Sequence, residues 1–418
     1  MTKTPLAARR AFEALRAGVP NRDAVLALGF DADELLRTFT ERLSEVSDSI
    51  EVEAQPKGLL IAAEFGGGKS HAIEFLGHKA LDANFAVSKV IISKETQLFD
   101  LHRVFSAAVD SLRVRDRIGA GLDEIAFSQL SSSNPQFNDF LPWLGSSGLN
   151  SCFDATMYLF REAGANEELQ QRLIRFWSGG PLQITQLRKD LRSCGAAGIY
   201  PLERISQKDL ARERFKFMSR MLYAAGYNGW LIFLDELELV GRYSFLQRGR
   251  SYAELCRLLG LHDEFAIPGL LTVGAITPDF DTAVLRDKDD LNQIGFRFRA
   301  RGGAENELTA ALAERAMMEI GRRCIRLPEP KKASLKTVMN RLAEVYETAY
   351  GGAPSRPELG GLSVGWQMRE HIRSWITRWD LQRIDPTYVP QTEVERIQQD
   401  YAEDTLLEHA TQGDEAAE

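Results

Sequence analysis

The segment that most constrains this chain is a glycine-rich octapeptide. Its sequence is Ala63-Glu64-Phe65-Gly66-Gly67-Gly68-Lys69-Ser70. It matches the phosphate-binding loop G-x-x-x-x-G-K-[ST], with Ala63 at the position of the first glycine. Small residues allow consecutive backbone N–H groups to turn towards a β-phosphate. Lys69 is then placed to reach the β- and γ-phosphates, and the Ser70 hydroxyl to bind Mg²⁺. We therefore predict that ATP and Mg²⁺ bind at this loop.

The residues on both sides of the loop have the pattern that such a site needs. Residues 58–62 are an apolar run, typical of a buried parallel strand. After the loop, Ile73, Leu76 and Ala80 fall on one face of a helix, whose N-terminal end favours anions. The alternative is an ordinary turn at residues 66–68 with an exposed lysine. The flanks favour the nucleotide site, and Ala63 leaves room for a lower affinity.

Composition narrows the class of protein. The 418 residues predict two or three domains, and 44% hydrophobic and 26% charged residues are typical of a globular protein. We expect no membrane segment and no signal peptide. The four cysteines lack metal-ligand spacing, which favours a reducing, cytoplasmic setting. The net charge of −8 argues against a broadly basic surface for nucleic acid, although a local patch stays open.

A second apolar run, residues 229–234, ends in two carboxylates, Asp235 and Glu236. This is the pattern of a buried strand that delivers acids to its C-terminal end. We predict that Asp235 binds Mg²⁺ and that Glu236 is the general base that polarises the attacking water. For Glu238 we predict a helix start or a solvated position.

The run at residues 269–276 predicts another strand, which ends at Thr277. In P-loop ATPases with an added central strand, a polar residue at this point orients the lytic water. The alternative is that Thr277 caps the turn made by Pro278 and Asp279.

Arginine and phenylalanine alternate in residues 295–302, which predicts an edge strand or an extended loop. Arg297 and Arg299 are candidates for an arginine finger that reaches a γ-phosphate in a neighbouring subunit. A solvated basic face and a loop that contacts nucleic-acid phosphates are the alternatives.

These patterns predict an α/β P-loop NTPase with an AAA+-like or ASCE-like parallel sheet. Residues 1–50 are expected to be helical, with Asn21 capping the second helix. Residues 51–300 are expected to hold the ATPase core, with a second strand at 85–93 and a helical insertion at about 115–215. Residues 301–418 are expected to form a helical lid region with a frayed acidic tail. Within the lid, a helix at 368–380 carries Arg369 and Arg373, candidate sensors of the γ-phosphate.

The chain resembles the ATP-binding proteins of BREX-type bacteriophage-exclusion systems, the BrxC/BrxD family, in particular its short BrxD-like members. The resemblance covers most of the chain. Four segments carry it, namely residues 8–22 (Ala-Arg-Arg-Ala-Phe-Glu-Ala-Leu-Arg-Ala-Gly-Val-Pro-Asn-Arg), 64–71 (Glu-Phe-Gly-Gly-Gly-Lys-Ser-His), 226–238 (Gly-Tyr-Asn-Gly-Trp-Leu-Ile-Phe-Leu-Asp-Glu-Leu-Glu) and 275–280 (Ala-Ile-Thr-Pro-Asp-Phe). Ala63 and Phe65, where tyrosine is more usual, depart from the pattern.

The resemblance implies a cytoplasmic ATPase with an AAA+-like core that acts in antiphage defence. A DNA methyltransferase and a phosphatase-like protein are the implied partners. It assigns Lys69 and Ser70 to phosphate and Mg²⁺, Asp235 to Mg²⁺ and Glu236 to water activation. His71 belongs to the motif and is expected to pack near the loop.

Three functions compete at this point. The first is an ATPase that couples hydrolysis to assembly or remodelling of a DNA-associated complex and forms a homo-oligomer on ATP binding. The second is a nucleotide-gated module for DNA or protein, like the origin-recognition ATPases, with slow hydrolysis. A P-loop kinase is disfavoured, because the Asp235-Glu236 pair and the long helical C-terminal region better suit water activation and a lid.

Overall fold

The computed structural model describes residues 4–18, 21–115, 121–131, 134–164, 166–203, 205–329, 331–356, 366–388 and 400–407. Its centre is a parallel sheet in the order β2-β3-β4-β1-β5. The strands are β1 (Leu59–Ala62), β2 (Ala86–Ile91), β3 (Trp230–Asp235), β4 (Leu270–Ile276) and β5 (Ile325–Arg326). Almost every residue of β1 to β4 is buried, as apolar runs between two layers of helices require. The four strands that the sequence predicts are confirmed, while the two-residue β5 was missed.

The strand order decides which side chains meet. β4 lies between β1 and β3, with Ala62 opposite Ile276 and Leu234 opposite Gly274. The C-terminal ends of β1, β3 and β4 therefore share one edge of the sheet. In parallel sheets ligands bind at this edge.

The N-terminal segment is helical, as predicted. Its helices are α1 (Pro5–Ala17), α2 (Arg22–Leu28) and α3 (Asp33–Ser49), and the phosphate loop leads into α4 (Lys69–Asp82). Asn21 caps α2, since its side chain accepts a hydrogen bond from the Ala24 N–H.

The connection from β2 to β3 forms the helical insertion. Its helices are α5 (Leu101–Asp110), α6 (Leu122–Gln129), α7 (Pro135–Ser146), α8 (Ser151–Glu162), α9 (Glu167–Trp177), α10 (Ile184–Ser193) and α11 (Gln207–Ala224). The predominantly helical character predicted for residues 115–215 is confirmed in its described part. Phe105 of α5 and Phe215 of α11 pack against Trp230 of β3, so one apolar core runs from the sheet into the insertion.

The remaining helices follow β3, β4 and β5. They are α12 (Phe245–Leu258), α13 (Asp290–Ala300), α14 (Ala304–Arg323), α15 (Lys332–Tyr350) and α16 (Met368–Ile384), with a 3₁₀ helix at Leu237–Arg242 and a π-helical turn at Asp281–Arg286. α1, α2, α15 and α16 share a separate apolar cluster that contains Phe12, Leu342, Trp375 and Trp379. Trp375 and Trp379 of α16 therefore belong to a core.

The prediction of an edge strand or extended loop at residues 295–302 is wrong, because most of this segment belongs to α13. The alternation of Phe and Arg resembled a strand, but the buried side chains of α13 follow helical spacing. Ile294 and Phe298, four residues apart, are buried, whereas Phe296 is 69% exposed. At the start of the helix, buried Asp290 accepts hydrogen bonds from Arg248 and from the Tyr252 hydroxyl.

Candidate nucleotide-binding and hydrolytic site

The phosphate loop connects β1 to α4 in a conformation that needs its glycines. Gly66 and Gly68 have φ angles of 81° and 102°, a region that other residues rarely adopt. A Cβ atom on Gly67 would lie 2.9 Å from the Glu64 carbonyl oxygen, so a side chain there would collide with the turn. Lys69 is 7% exposed, which does not fit an ordinary turn that carries an exposed lysine.

The Lys69 ammonium is held by two oxygens. Its Nζ atom donates to the Ala63 carbonyl at 3.0 Å and lies 3.1 Å from Oε1 of Glu238. Glu238 lies in the first turn of the 3₁₀ helix after β3, but it is only 1% exposed, so the expectation of a solvated position is wrong. Burial raises the pKa of Glu238 to about 7, although Lys69 opposes the shift. The sequence did not predict Glu238 as a partner of Lys69, because only the turn after β3 brings the two side chains together.

Asp235 lies at the C-terminal end of β3 and is 3% exposed. Its Oδ2 atom is 3.4 Å from the Ser70 hydroxyl and 3.0 Å from Nζ of Lys89 on β2. The fold thus brings together the two residues predicted to bind Mg²⁺. Lys89 was missed, because an alternating lysine on a strand reads as a solvent-facing residue.

The donor set fits Mg²⁺, which commonly takes one or two carboxylates and completes its shell with phosphate oxygens and water. Ser70 and Asp235 supply a hydroxyl and a carboxylate oxygen on the same side of the loop. The described residues contain no cluster of three or more His, Cys, Asp or Glu side chains that could hold a metal ion. Mg²⁺ at this site would therefore need phosphate oxygens and water as further ligands.

Glu236 follows Asp235 in a left-handed conformation with φ 62°, which is uncommon for a non-glycine residue. Its N–H donates to Oδ1 of Asp235 at 3.1 Å, and its side chain lines the cleft at the loop. Burial and the negative charge of Asp235 raise the pKa of Glu236. A carboxylate with a raised pKa at the rim of a phosphate site has the position and the basicity of a general base.

The loop forms one wall of a cleft of about 1260 Å³, including its open mouth. Other walls come from α1, α2, α15, α16 and the segment after β5. The apolar part of the lining includes Leu28, Phe30, Leu327, Val338 and Ile372. A cleft lined by a glycine-rich loop and by apolar side chains suits a ligand with a phosphate chain and an aromatic base.

His71 connects the loop to the N-terminal segment. Its Nε2 atom lies 2.8 Å from the Gly29 carbonyl oxygen, and its ring lies 6.2 Å from that of Phe30. Burial lowers the pKa of His71, which favours the neutral ring. These contacts agree with a packing role for His71.

Of the two arginines predicted on the lid helix, only Arg369 lines the cleft. Its backbone N–H donates to the Gly66 carbonyl at 3.3 Å, and its guanidinium carbon lies 5.1 Å from the centre of the Phe65 ring. Arg373 donates instead to the Ala17 carbonyl at the end of α1. The first turn of α16 therefore rests directly on the phosphate loop.

Thr277 lies one residue beyond β4, at the same sheet edge as Ala63, and is 4% exposed. Its hydroxyl lies 2.7 Å from the hydroxyl of Tyr401. The side chain thus contacts a residue far along the chain, while the Thr277 carbonyl accepts a hydrogen bond of 3.3 Å from the Phe280 N–H and closes the turn at Pro278 and Asp279. Sequence spacing carried no signal for Tyr401.

Arg297 and Arg299 on α13 are not among the residues that line the cleft. The Arg297 guanidinium stacks 4.7 Å from the centre of the Phe245 ring and is exposed. Arg299 binds Glu314 through two hydrogen bonds of 2.6 and 2.8 Å and also contacts Glu307. A role for either arginine in a neighbouring subunit remains a prediction, and Arg297 is the less constrained of the two.

Together the parallel sheet, the glycine-rich loop and the acids at the end of β3 define an α/β protein of P-loop-like fold. The family model described as BREX system ATP-binding protein BrxC/D matches residues 5–129 and 154–358, and the chain belongs to this family. This confirms the resemblance carried by the sequence. The match includes the loop, Asp235, Glu236 and Thr277, while α16 and residues 400–407 lie outside it.

The comparison with curated proteins gave no match. The comparison with solved structures gave none either. Over the described part of the chain, no helix combines the length and apolar character needed to cross a membrane.

Proposed function

We propose that this protein binds ATP at the phosphate loop and hydrolyses it. The observation that carries the proposal is the convergence of Lys69, Ser70, Asp235 and Glu236 at one edge of the sheet. Ser70 lies beside Asp235, and Glu236 lines the same cleft as the loop. The family description, which names ATP binding, supports the first half of the proposal. The two adjacent carboxylates support the second.

In the proposed complex the backbone N–H groups of the loop and the N-terminus of α4 hold the phosphates. The base packs against the apolar side chains that line the cleft. Lys69 exchanges its contacts with Ala63 and Glu238 for phosphate oxygens. Ser70 and Asp235 would hold Mg²⁺, which would supply positive charge that stabilises a bound triphosphate.

Hydrolysis then depends on the residues at the γ-phosphate end. Glu236 accepts a proton from the attacking water, a role favoured by its raised pKa. Thr277 orients the same water from the end of β4. Arg369 contacts the γ-phosphate from the first turn of α16, whereas Arg297 or Arg299 acts only in a neighbouring subunit.

The fold and the family support the wider setting that we propose. In this proposal the core is AAA+-like, with β4 between the loop strand and the acid strand, and α15 and α16 form a lid. We propose that the protein acts in the cytoplasm within BREX antiphage defence, beside the methyltransferase and the phosphatase-like protein. Homo-oligomerisation on ATP binding and contact with DNA belong to the same proposal.

Steady-state ATP turnover tests the proposal. The wild type is compared with Glu236→Gln, which removes the base but keeps the shape, and with Glu264→Gln, an exposed control. We expect at least a hundredfold lower kcat for Glu236→Gln and an unchanged rate for the control. Equal rates in wild type and Glu236→Gln would overturn the assignment of the base.

A nucleotide-gated binding module is the second candidate. The cleft has walls from α1, α2, α15 and α16 as well as from the loop, so a bound nucleotide would bridge separate helical layers. In this case ATP-dependent and salt-sensitive DNA binding would persist in Glu236→Gln while turnover stayed slow in the wild type.

A further inference from the structure

A short C-terminal segment, residues 400–407, packs against the end of the sheet where hydrolysis is proposed to occur. We call it the strap. Its Asp404 N–H donates to the Arg242 carbonyl at 2.9 Å, and the Asp404 carboxylate pairs with the Arg242 guanidinium at 2.9 Å. Glu403 accepts a hydrogen bond of 2.8 Å from Arg248. Both arginines belong to the turn and helix that follow Glu236, so the strap is fixed to the acid-bearing segment.

Tyr401 is the strap residue that reaches the interior. It is 8% exposed, and its ring lies 6.1 Å from that of Phe280 in an edge-on arrangement. Lys288 donates to the Tyr401 carbonyl and, at 3.0 Å, to the Gly241 carbonyl. A Cβ atom on Gly241 would lie 2.8 Å from the Tyr401 ring, so the site closely fits this side chain.

The Tyr401 hydroxyl joins two residues beyond the end of β4. It lies 2.7 Å from the Thr277 hydroxyl and donates to Oδ1 of Asp279 at 3.0 Å. A tyrosine hydroxyl has one proton, and an ionised carboxylate can only accept. Since that proton goes to Asp279, the short contact with Thr277 requires the Thr277 hydroxyl to donate to Tyr401.

This direction determines what Thr277 can do. With its proton directed to Tyr401, the Thr277 oxygen offers only lone pairs to any other group. It can accept a hydrogen bond from a water molecule but cannot donate one to a phosphate oxygen. An acceptor of this kind can hold a lytic water by one of its O–H groups and leave the lone pairs of the water free for attack.

We propose that Tyr401, held by the strap and by Asp279, is a positioning residue that fixes Thr277 as the hydrogen-bond acceptor for the lytic water. The inference rests on the proposed ATPase function and adds to it a residue outside the region that the family model matches. Burial, together with the Asp279 charge, raises the pKa of Tyr401. The Tyr401 hydroxyl therefore stays protonated and can donate its hydrogen bond to Asp279.

The test compares steady-state turnover, KM and nucleotide affinity in Tyr401→Phe with those of the wild type. Tyr158→Phe is the matched control, because it also removes one hydrogen-bonded tyrosine hydroxyl, which in this case lies in the insertion and donates to the Cys194 carbonyl. We expect Tyr401→Phe to lower kcat about fivefold or more, the size of one lost hydrogen bond, with KM and affinity changed less than about twofold. The control should match the wild type.

A double-mutant cycle tests whether Tyr401 acts by directing the Thr277 hydroxyl or only by supporting the local fold. Tyr401→Phe should have the same effect in the Thr277→Ser background, which keeps the hydroxyl, and little effect in Thr277→Val, which removes it. Glu403→Gln, which removes an ion pair of the strap but not the hydroxyl, should retain kcat. Equal loss in Glu403→Gln and Tyr401→Phe, or full additivity with Thr277→Val, would overturn the inference.

The same data distinguish this inference from the proposed function. If Glu236→Gln abolishes turnover while Tyr401→Phe retains the wild-type kcat, the inference fails and the ATPase assignment stands. If wild type and Glu236→Gln show the same background rate, the proposed function fails and the inference with it.

Discussion

The loop lysine Lys69 forms a buried ion pair with Glu238, with Nζ 3.1 Å from Oε1 and side chains only 7% and 1% exposed. When Glu238 is ionised, the Lys69 charge that would bind a phosphate is therefore paired within the chain before a nucleotide binds. Burial of such a pair is expensive, so removal of one partner has measurable consequences. Glu238 thus belongs to the candidate site, although the sequence predicted no contact with Lys69 for it.

The Glu238→Gln variant should change how stability depends on pH. The carboxyl releases its proton near its ordinary pKa of 4.5 in the unfolded chain and at about 7 in the fold. Its contribution to stability is thus fully present below pH 4.5 and is lost as the pH rises through 7. Between pH 5 and 8 the wild type should lose on the order of 2 kcal/mol more than Glu238→Gln.

Urea unfolding at pH 5 and pH 8 measures this difference. Glu264→Gln is the control, because Glu264 is exposed and its pH response should equal that of the wild type. A Glu238→Gln variant with the same pH response as the wild type would show that the buried carboxyl does not titrate in this range.

Lys89 should compete with Mg²⁺ for Asp235, because its ammonium lies 3.0 Å from the Oδ2 atom that also faces Ser70. We expect Lys89→Met to lower the Mg²⁺ concentration needed for half-maximal binding of a fluorescent ATP analogue by about fivefold, or about 1 kcal/mol. Lys94→Met, at an exposed position just beyond β2, is the control. An unchanged or higher Mg²⁺ requirement in Lys89→Met would contradict this role.

Arg369 and Arg373 lie one turn apart on α16 but contact different parts of the chain. Arg369 covers Phe65 at the loop, whereas Arg373 binds the Ala17 carbonyl. We expect Arg369→Ala to weaken ATP binding about tenfold or more and Arg373→Ala to weaken it less than about twofold. Isothermal calorimetry measures both affinities. Equal losses would mean that the helix as a whole, rather than the Arg369 side chain, supports the cleft.

One buried polar contact in the core of the insertion should contribute measurably to stability. The Trp177 indole N–H donates to the buried Thr156 hydroxyl at 2.9 Å. In Thr156→Val this donor loses its partner, and we expect a loss of about 1–3 kcal/mol in the free energy of unfolding. Urea unfolding tests this, with Thr337→Val on the exposed face of α15 as the control. A loss below about 0.5 kcal/mol in Thr156→Val would contradict the account.

The sequence predicted the parts of the fold that depend on local patterns. The loop, the four buried strands and the Asn21 cap each have a signal within a few residues, and their positions are confirmed. The helix α13 was missed because Phe296 and Phe298 alternate with arginine. Its helical state depends on burial of Ile294 and Phe298 against neighbouring helices, which no short window contains.

Local patterns also predicted only part of the candidate site. Lys69, Ser70, Asp235 and Glu236 come from two compact motifs and could be predicted. Lys89 reaches the site only through the pairing of β2 with β3, and Glu238 only through the turn after β3. Tyr401 reaches it through the strap. Their contacts span long separations in the chain, so a single sequence carries no signal for them.

The central claim is that one loop binds ATP and that Glu236 activates the water that cleaves it. The most direct measurement determines binding and turnover together in the wild type, Lys69→Ala and Glu236→Gln. We predict that Lys69→Ala loses nucleotide affinity, whereas Glu236→Gln binds ATP as tightly as the wild type and turns it over at least a hundredfold more slowly. Turnover by Glu236→Gln at the wild-type rate would contradict the account.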